Sequence, residues 1–237
     1  RDVYVIPSGI DTTRFYKENI DKNEIINLKK DLGLKKTDFI VLYVGRIAKE
    51  KSIDFLINNF NSVLKQIPKA KMIIVGDGPD IKDLIDLAKK EGLENKIIFA
   101  GKAPWTDVPK YYSLCDVFVT ASKTETQGLT VMEAMGASKP VVAIRDESFE
   151  LMITDKKDGL FFDDEKSYVD MIYEVYKNKK LRDEISFNAR LTADKYSPYN
   201  YAKNVLKVYE KVISKDTNVV KKVVHNVKNI FTKSGGK

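Results

Sequence analysis

Short apolar runs alternate along the chain with longer segments in which apolar and polar residues recur at helical spacing. The apolar runs are rich in Val, Ile and Phe and are scarcely broken by polar residues, as strands buried on both faces are. They predict six strands, at residues 39–44, 71–75, 96–100, 116–120, 140–144 and 159–162. The helical patterns between them lie at residues 52–66, 80–91, 107–114, 130–136 and 147–154.

This alternation predicts βαβ units and therefore an α/β fold with a doubly wound parallel sheet. Ligands of such sheets bind at the carboxyl ends of the strands. Three further helices are predicted at residues 168–177, 180–195 and 198–213. We therefore expect residues 1–213 to form one ligand-binding domain with C-terminal helices.

The last 24 residues, 214–237, have a different character. Six lysines and one aspartate give them a charge of +5, out of +7 for the whole chain, so that the remainder carries only +2. A nucleic-acid-binding core is therefore not indicated. Apolar residues at helical spacing, with basic residues opposite, predict a basic amphipathic helix at 218–231. Such a helix can lie on an anionic membrane surface or pack its valines against protein.

Scarce residue types exclude several kinds of site. The chain has one cysteine, Cys115, so it can form no intrachain disulfide, and a reducing compartment is expected. Because Cys115 lies in an apolar run, we expect it to be a core residue. The one histidine, His225, lies in the basic tail, which argues against a Ser-His-Asp triad or a histidine zinc site in the core. The chain starts without Met or a signal-peptide pattern, and we expect it to be cut from a longer protein.

The loop after the first predicted strand is suited to a phosphate, and the loop after the second carries two glycines. After the first strand, Gly45 permits a tight exit, and Arg46 and Lys51 flank a loop that feeds a helix. These two cations suit a diphosphate, although the loop could also be merely solvated. After the second strand come Gly76 and Gly78, but the third glycine of a dinucleotide fingerprint is missing. We interpret this second stretch as a turn whose backbone lies near the ligand.

The loop after the fourth strand carries a carboxylate, and the helix that follows carries another. Glu125 lies in the loop, Gly128 permits close approach of the backbone, and Glu133 lies about one turn into the helix. Each carboxylate can accept hydrogen bonds from a diol. The pair could also be a glycosidase acid and base, or Glu133 could be a solvated helix residue, and spacing alone does not choose. A neutral glycoside would leave Arg46 and Lys51 without a partner, which disfavours the glycosidase.

Several motifs in order resemble the family 4 retaining glycosyltransferases of the GT-B fold. They are YVIPSGID at residues 4–11, Gly45-Arg46 with Lys51, GDGP at 76–79, and the two glutamates followed by EAMGASKPVVA at 133–143. The stretch ETQGLT at 125–130 is similar to bacterial diacylglycerol glucosyltransferases, although many family members have an aromatic residue where Gln127 stands. The resemblance implies a Rossmann-like donor-binding domain, the C-terminal half of a GT-B enzyme, acting with an N-terminal acceptor domain.

The resemblance also implies the reaction and the roles of residues. A UDP-sugar would donate a hexose, glucose by preference, to a membrane lipid such as diacylglycerol, on the inner face of the cell membrane. Arg46, Lys51 and Glu125 would be catalytic. The donor would be held by these three and by nine further residues: Gly45, Gly76, Lys102, Ala103, Gln127, Gly128, Leu129, Thr130 and Glu133. No metal or other cofactor is implied, and we expect Asp163 and Asp164 to cap a helix.

Other functions remain open on the sequence alone. Half of a GT-B cleft could bind a sugar nucleotide without transferring the sugar, or could serve as a membrane-docking module. The acceptor could be a polysaccharide precursor instead of a lipid. A redox Rossmann domain is disfavoured, because the third glycine and a ribose-binding acid about 20 residues further on are missing.

Overall fold

A computed structural model of the protein describes residues 3–213. Its centre is one sheet of six strands, all pairs of which are parallel. In chain order the strands are β1 Phe39–Val44, β2 Ala70–Val75, β3 Ile97–Gly101, β4 Val117–Thr120, β5 Val141–Ile144 and β6 Leu160–Phe162. Their spatial order, β3-β2-β1-β4-β5-β6, reverses direction between β1 and β4. The predicted doubly wound parallel sheet is confirmed, and each predicted strand lies within two residues of its observed bounds.

The helices that connect the strands cover the sheet. In chain order the helices of residues 3–213 are α1 Lys22–Asp31, α2 Ile53–Asn58, α3 Phe60–Gln66, α4 Ile81–Lys90, α5 Val108–Leu114, α6 Leu129–Gly136, α7 Glu147–Glu150, α8 Glu165–Lys177, α9 Lys179–Ala193 and α10 Pro198–Ile213. Short 3₁₀ turns lie at Thr12–Phe15, Lys17–Asn19, Lys49–Lys51 and Asp194–Tyr196.

Two helix predictions need correction, and one helix was missed. The predicted helix at 52–66 is two helices, because the backbone breaks at Asn59, whose side-chain amide donates to the carbonyl of Phe55 at 2.9 Å. The predicted helix at 147–154 ends at Glu150. Helix α1 was not predicted at all, since none of its residues is buried and its apolar pattern is weak.

Caps and core residues follow the expectations from the sequence. Asp164 is the N-cap of helix α8 and forms a reciprocal capping box with Ser167, which confirms the predicted cap for Asp164. The carboxylate of Asp163, also predicted to cap, instead accepts from Arg145. Cys115 is buried, and burial raises the pKa of its thiol to about 12, which suits an inert core residue. Every residue of β1, β4, β5 and β6 is buried, as expected of strands covered on both faces.

The described chain divides into two compact units. One contains Ile10–Lys195, and with it the sheet and helices α1 to α9. The other contains residues 3–9 and helix α10, with Gly9 packed closely against Pro198 and Tyr201. No helix in residues 3–213 combines the length and the apolar character needed to cross a bilayer. The predicted basic tail, 214–237, lies outside the described residues.

Candidate functional site: a cleft at the carboxyl ends of β1 and β4

A cleft of about 400 Å³ opens where β1 and β4 end, at the point where the strand order reverses. Doubly wound sheets bind their ligands at this position. Eight residues predicted for the site line the cleft: Gly45, Arg46, Lys51, Glu125, Gln127, Gly128, Leu129 and Thr130. Five others that line it were not predicted: Tyr43, Val44, Glu50, Thr120 and Thr126.

The loop after β1 forms one wall of the cleft and is supported by the loop after β2. A Cβ added to Gly76 would lie 1.8 Å from the carbonyl oxygen of Gly45, and one added to Gly78 would lie 2.0 Å from that of Ile47. Both positions therefore require glycine, because the two backbones touch. Gly76 does not line the cleft but packs against the Gly45 backbone, which does. Its predicted contact with the donor stays a prediction.

The two cations of this wall differ in their surroundings. The ammonium of Lys51 lies 2.5 Å from Oε1 of Glu125 and 3.5 Å from Oγ of Ser122, and the Lys51 and Glu125 side chains are only 18% and 20% exposed. Arg46 is 68% exposed and lies 3.8 Å from Glu50. Lys51 is therefore fixed before any ligand enters, whereas Arg46 extends into solvent.

The start of helix α6 forms the opposite wall. Gly128, the N-cap, has a φ of +52°, and a Cβ there would lie 2.3 Å from Cε of Met152. No side chain caps the helix, and the first backbone N–H groups to bond within it are those of Val131 and Met132. The N–H groups before them are therefore available to an anion, and the helix dipole favours negative charge there.

Glu133 lies on the same helix but is not among the residues that line the cleft. Its Oε2 is 2.9 Å from the hydroxyl of Tyr112, which is also 3.1 Å from the carbonyl oxygen of Thr130. Burial raises the pKa of the Glu133 carboxyl, while the Tyr112 hydrogen bond and the charge of Arg14 oppose that rise. Its predicted contact with a ribose stays a prediction, and no sequence pattern pointed to Tyr112 or Arg14 as its neighbours.

Comparison with known proteins identifies the family. The profile described as "Glycosyl transferases group 1" matches residues 24–192. The chain belongs to this glycosyltransferase family. It is 36% identical over 221 residues to an alpha-monoglucosyldiacylglycerol synthase of Acholeplasma laidlawii, covering 92% of this chain and 55% of that protein. A synthase of the same name from Streptococcus pneumoniae is 29% identical over 232 residues, covering 94% of this chain and 52% of the relative. The chain thus spans about half the length of these relatives.

Solved glycosyltransferases share the fold. A Rickettsia africae glycosyltransferase superposes with a TM-score of 0.80 at 18% identity, covering 90% of this chain and 58% of that one. Anabaena HepE, solved with UDP-glucose, superposes with a TM-score of 0.77 at 22% identity, covering 88% and 57%. The resemblance to GT-B glycosyltransferases noted from the motifs is confirmed, and the sheet of this chain is the Rossmann-like sheet of that fold.

Two further residues predicted for this glycosyltransferase site lie apart from the cleft. Lys102 and Ala103 follow β3, the edge strand, and neither lines the cleft; Lys102 is exposed and Ala103 half-buried. The preceding Gly101 has a φ of +70°, which turns the chain sharply at the strand end. Their predicted contact with a nucleobase stays a prediction.

Tyr43 is the most informative residue that the motifs missed. It is the penultimate residue of β1 and lines the cleft, and its hydroxyl donates to the carbonyl of Arg46 at 3.1 Å. Burial raises the pKa of Tyr43 above its ordinary value, and the charges of Glu125 and Glu50 raise it further. Tyr43 is therefore a neutral hydrogen-bonding group in the floor of the cleft. Its place near the carboxyl end of a buried strand was the one signal that could have pointed to it.

Residues 3–213 contain no cluster of three or more His, Cys, Asp or Glu side chains arranged to hold a metal ion. The charged groups that line the cleft are two cations, Arg46 and Lys51, and two carboxylates, Glu50 and Glu125. The arrangement can receive a dianion if Lys51 exchanges its carboxylate partner for the ligand, with the helix N-terminus opposite.

Proposed function

We propose that this chain is the donor-binding half of a retaining hexosyltransferase, which moves glucose from a UDP-sugar to a membrane lipid such as diacylglycerol. One observation carries the proposal: the largely buried Lys51 side chain lies in the same cleft as the uncapped N-terminus of α6. The names of the two synthases support the sugar and the lipid. An N-terminal acceptor domain would complete the enzyme, which would act as a peripheral protein on the cytoplasmic face of the membrane.

The diphosphate would lie between the two walls of the cleft. Arg46 and Lys51 would contact it from one side, and the N–H groups of Gly128, Leu129 and Thr130 from the other. As the bond between the sugar and the β-phosphate breaks, negative charge grows on that phosphate. Fixed positive groups lower the barrier for this step, and removing one such donor typically costs about 3–4 kcal/mol. These groups would meet the charge without a divalent metal.

The remaining residues would orient the donor. Glu125 would accept hydrogen bonds from sugar hydroxyls once Lys51 turns to the phosphate, and Gln127 would lie beside it in the same loop. Glu133 would hold the ribose diol, and the backbone at Lys102 and Ala103 would contact uracil. Glu125, Gln127 and the backbone at Lys102 and Ala103 lie in loops that follow strands, where ligands of such sheets bind, and Glu133 lies in the helix after one of these loops.

Calorimetric titration of this chain with UDP-glucose, UDP-galactose, GDP-mannose and NAD tests the donor. We expect selective binding of the UDP compounds, and preferential binding of NAD would overturn the proposal. Transfer itself needs the longer protein that includes the acceptor half. There, NMR of the product should show an α-linked sugar made from an α-linked donor, and a β-linked product would disprove retention.

A further inference from the structure

Arg145, which directly follows β5, pairs with carboxylates from three segments of the chain. Its guanidinium donates to Glu150 at 3.1 Å, to Asp155 at 3.0 Å and to Asp163 at 3.0 Å, using a different nitrogen for each. It also lies over the ring of Phe161, 4.8 Å from the centroid. Isolated surface ion pairs stabilise a protein little. A planar guanidinium that pairs with three carboxylates at once, however, holds the three side chains in one arrangement.

The three carboxylates lie in α7, in the loop before β6 and just after β6. Asp155 has a second function, since its other oxygen accepts from the N–H of Phe161 at 3.1 Å. Arg145 therefore fixes the chain between β5 and β6 near its start, in its middle and at its end. We call residues 146–155 the support segment.

The apolar side of the support segment packs against the start of helix α6. Phe149 is fully buried, and its Cε1 lies 3.4 Å from the position that a Cβ on Gly128 would occupy. Cε of Met152 lies 2.3 Å from the same position. Gly128 and the first turn of α6 thus rest on two side chains of the support segment.

We infer that Arg145 is a positioning residue for the donor diphosphate: it holds the support segment, and through Phe149 and Met152 it fixes the N–H groups at the start of α6. This inference rests on the proposed function for the identity of the ligand, whereas the contacts of Arg145, Phe149 and Met152 are independent of it. Arg145 does not line the cleft, so its effect on a ligand must pass through Gly128.

Charge explains why the arginine itself is needed. Without the guanidinium, three carboxylates would face one another with no cation between them, and their repulsion would drive the three segments apart. The support segment would then release Gly128, whose N–H groups would lose the alignment that an anion requires. Small misplacements of such groups weaken recognition strongly.

The test compares Arg145→Met with Arg190→Met in the full chain. Arg190 is a matched control: it pairs with Glu18 at 2.8 Å, lies over the ring of Tyr16 and is similarly exposed, 31% against 39% for Arg145. Two quantities are measured: hydrogen exchange of the backbone at residues 126–132, and the affinity for UDP by calorimetry. Thermal unfolding shows that each variant is folded.

We expect Arg145→Met to speed exchange at 126–132 and to weaken UDP binding about tenfold, with Arg145→Lys recovering part of both and Arg190→Met changing neither. A purely structural role would lower the unfolding temperature and leave both quantities unchanged in the folded protein. That result overturns the inference, as does faster exchange with unaltered UDP affinity. If the unsubstituted chain binds no UDP, the proposed function fails. Faster exchange at 126–132 in Arg145→Met would still show that Arg145 holds the start of α6 through the support segment.

Discussion

The ammonium of Lys51 and the carboxylate of Glu125 form an ion pair of 2.5 Å across the cleft, joining the loop after β1 to the loop after β4. Both side chains are about four-fifths buried, at 18% and 20% exposure, so the pair is weakly screened by solvent. A diphosphate entering the cleft would compete with Glu125 for the same ammonium. The Lys51 ammonium therefore stays paired with Glu125 until a phosphate displaces the carboxylate. The first prediction tests this competition.

Lys51→Ala and Glu125→Gln should change UDP binding in opposite directions. Removing the ammonium takes away a charged hydrogen-bond donor and leaves a carboxylate facing the phosphates, so the affinity should fall about 30-fold or more, about 2 kcal/mol. Glu125→Gln frees Lys51, so UDP should bind at least as tightly as before. In the longer enzyme each of Glu125→Ala and Lys51→Ala should abolish sugar transfer with the fold intact, because one removes the group that orients the sugar and the other the cation.

Calorimetry with UDP on this chain measures both effects. Lys89→Ala is a suitable control, since it breaks an exposed ion pair to Asp86 on helix α4, away from the cleft. Unchanged UDP affinity in Lys51→Ala would contradict the proposed diphosphate site, and wild-type turnover in both alanine variants of the longer enzyme would refute the catalytic assignment.

Gly128→Ala should damage both stability and binding. The left-handed backbone, with φ of +52°, costs an alanine about 1–2 kcal/mol, and the added methyl collides with Met152. Gly33→Ala is the matched control, because Gly33 has a φ of +63° but no atom within 4 Å of the added methyl. Urea unfolding should show a loss in both variants, with weaker UDP binding only in Gly128→Ala. Equal UDP affinity in the two would disprove that the start of α6 binds the phosphate.

The strands could be predicted because burial on both faces leaves a continuous apolar run, as in all six residues of β1. Helix α1 could not, because a helix with no buried residue shows little pattern. The break at Asn59 could not be predicted for the opposite reason. The apolar pattern of 52–66 continues across it, and a side-chain hydrogen bond to Phe55 decides where the helix ends.

The walls of the cleft could be predicted from strand ends, glycines and charges, since parallel topology brings those loops together. The pairing of Lys51 with Glu125 could not, because the two are 74 positions apart. The same holds for Glu133, whose hydrogen bond comes from Tyr112 on another helix. Local sequence spacing shows which residue types lie at the carboxyl ends of the strands. The residues with which they pair depend on how distant elements pack together.

Glu133→Gln should make the protein more stable at neutral pH and yet weaken its binding of UDP. Burial raises the pKa of this carboxyl above 4.5, so its contribution to stability is complete below pH 4.5 and is lost as the pH rises through the folded-state pKa. Glutamine removes that loss. Urea unfolding midpoints between pH 4 and pH 8 should therefore diverge with rising pH, the variant being the more stable.

Glu184→Gln, at an exposed position of helix α9, is the control for the loss of one carboxylate charge. Weaker binding of UDP by the stabilised variant would identify Glu133 as a ligand contact, since a structural residue would not couple a gain in stability to a loss of affinity. Unchanged binding would remove Glu133 from the donor site.

Trp105 should report on nucleobase binding. It is the one tryptophan of the chain, it is 69% exposed, and it follows Ala103 by two positions. Arg14 lies over its ring at 4.1 Å, which fixes the indole near the backbone proposed to contact uracil. UMP and UDP should therefore change its fluorescence in a saturable way, and pyrophosphate should not. A response to pyrophosphate alone would place the base elsewhere.

The basic segment 218–231 should bind this chain to anionic vesicles. Residues 214–237 carry +5 of the net charge of +7, and each lysine near an anionic surface contributes about 1 kcal/mol. The screening length falls to about 3 Å at 1 M salt, so the charge-driven part of the binding should disappear there, while contacts of the valines with the bilayer should persist.

Co-sedimentation with phosphatidylglycerol vesicles at low and high salt measures the two parts, and neutral phosphatidylcholine vesicles are the control. A chain ending at residue 213 should lose both, because the remaining residues carry only +2. Equal sedimentation of the two chains would instead place any membrane contact within residues 1–213.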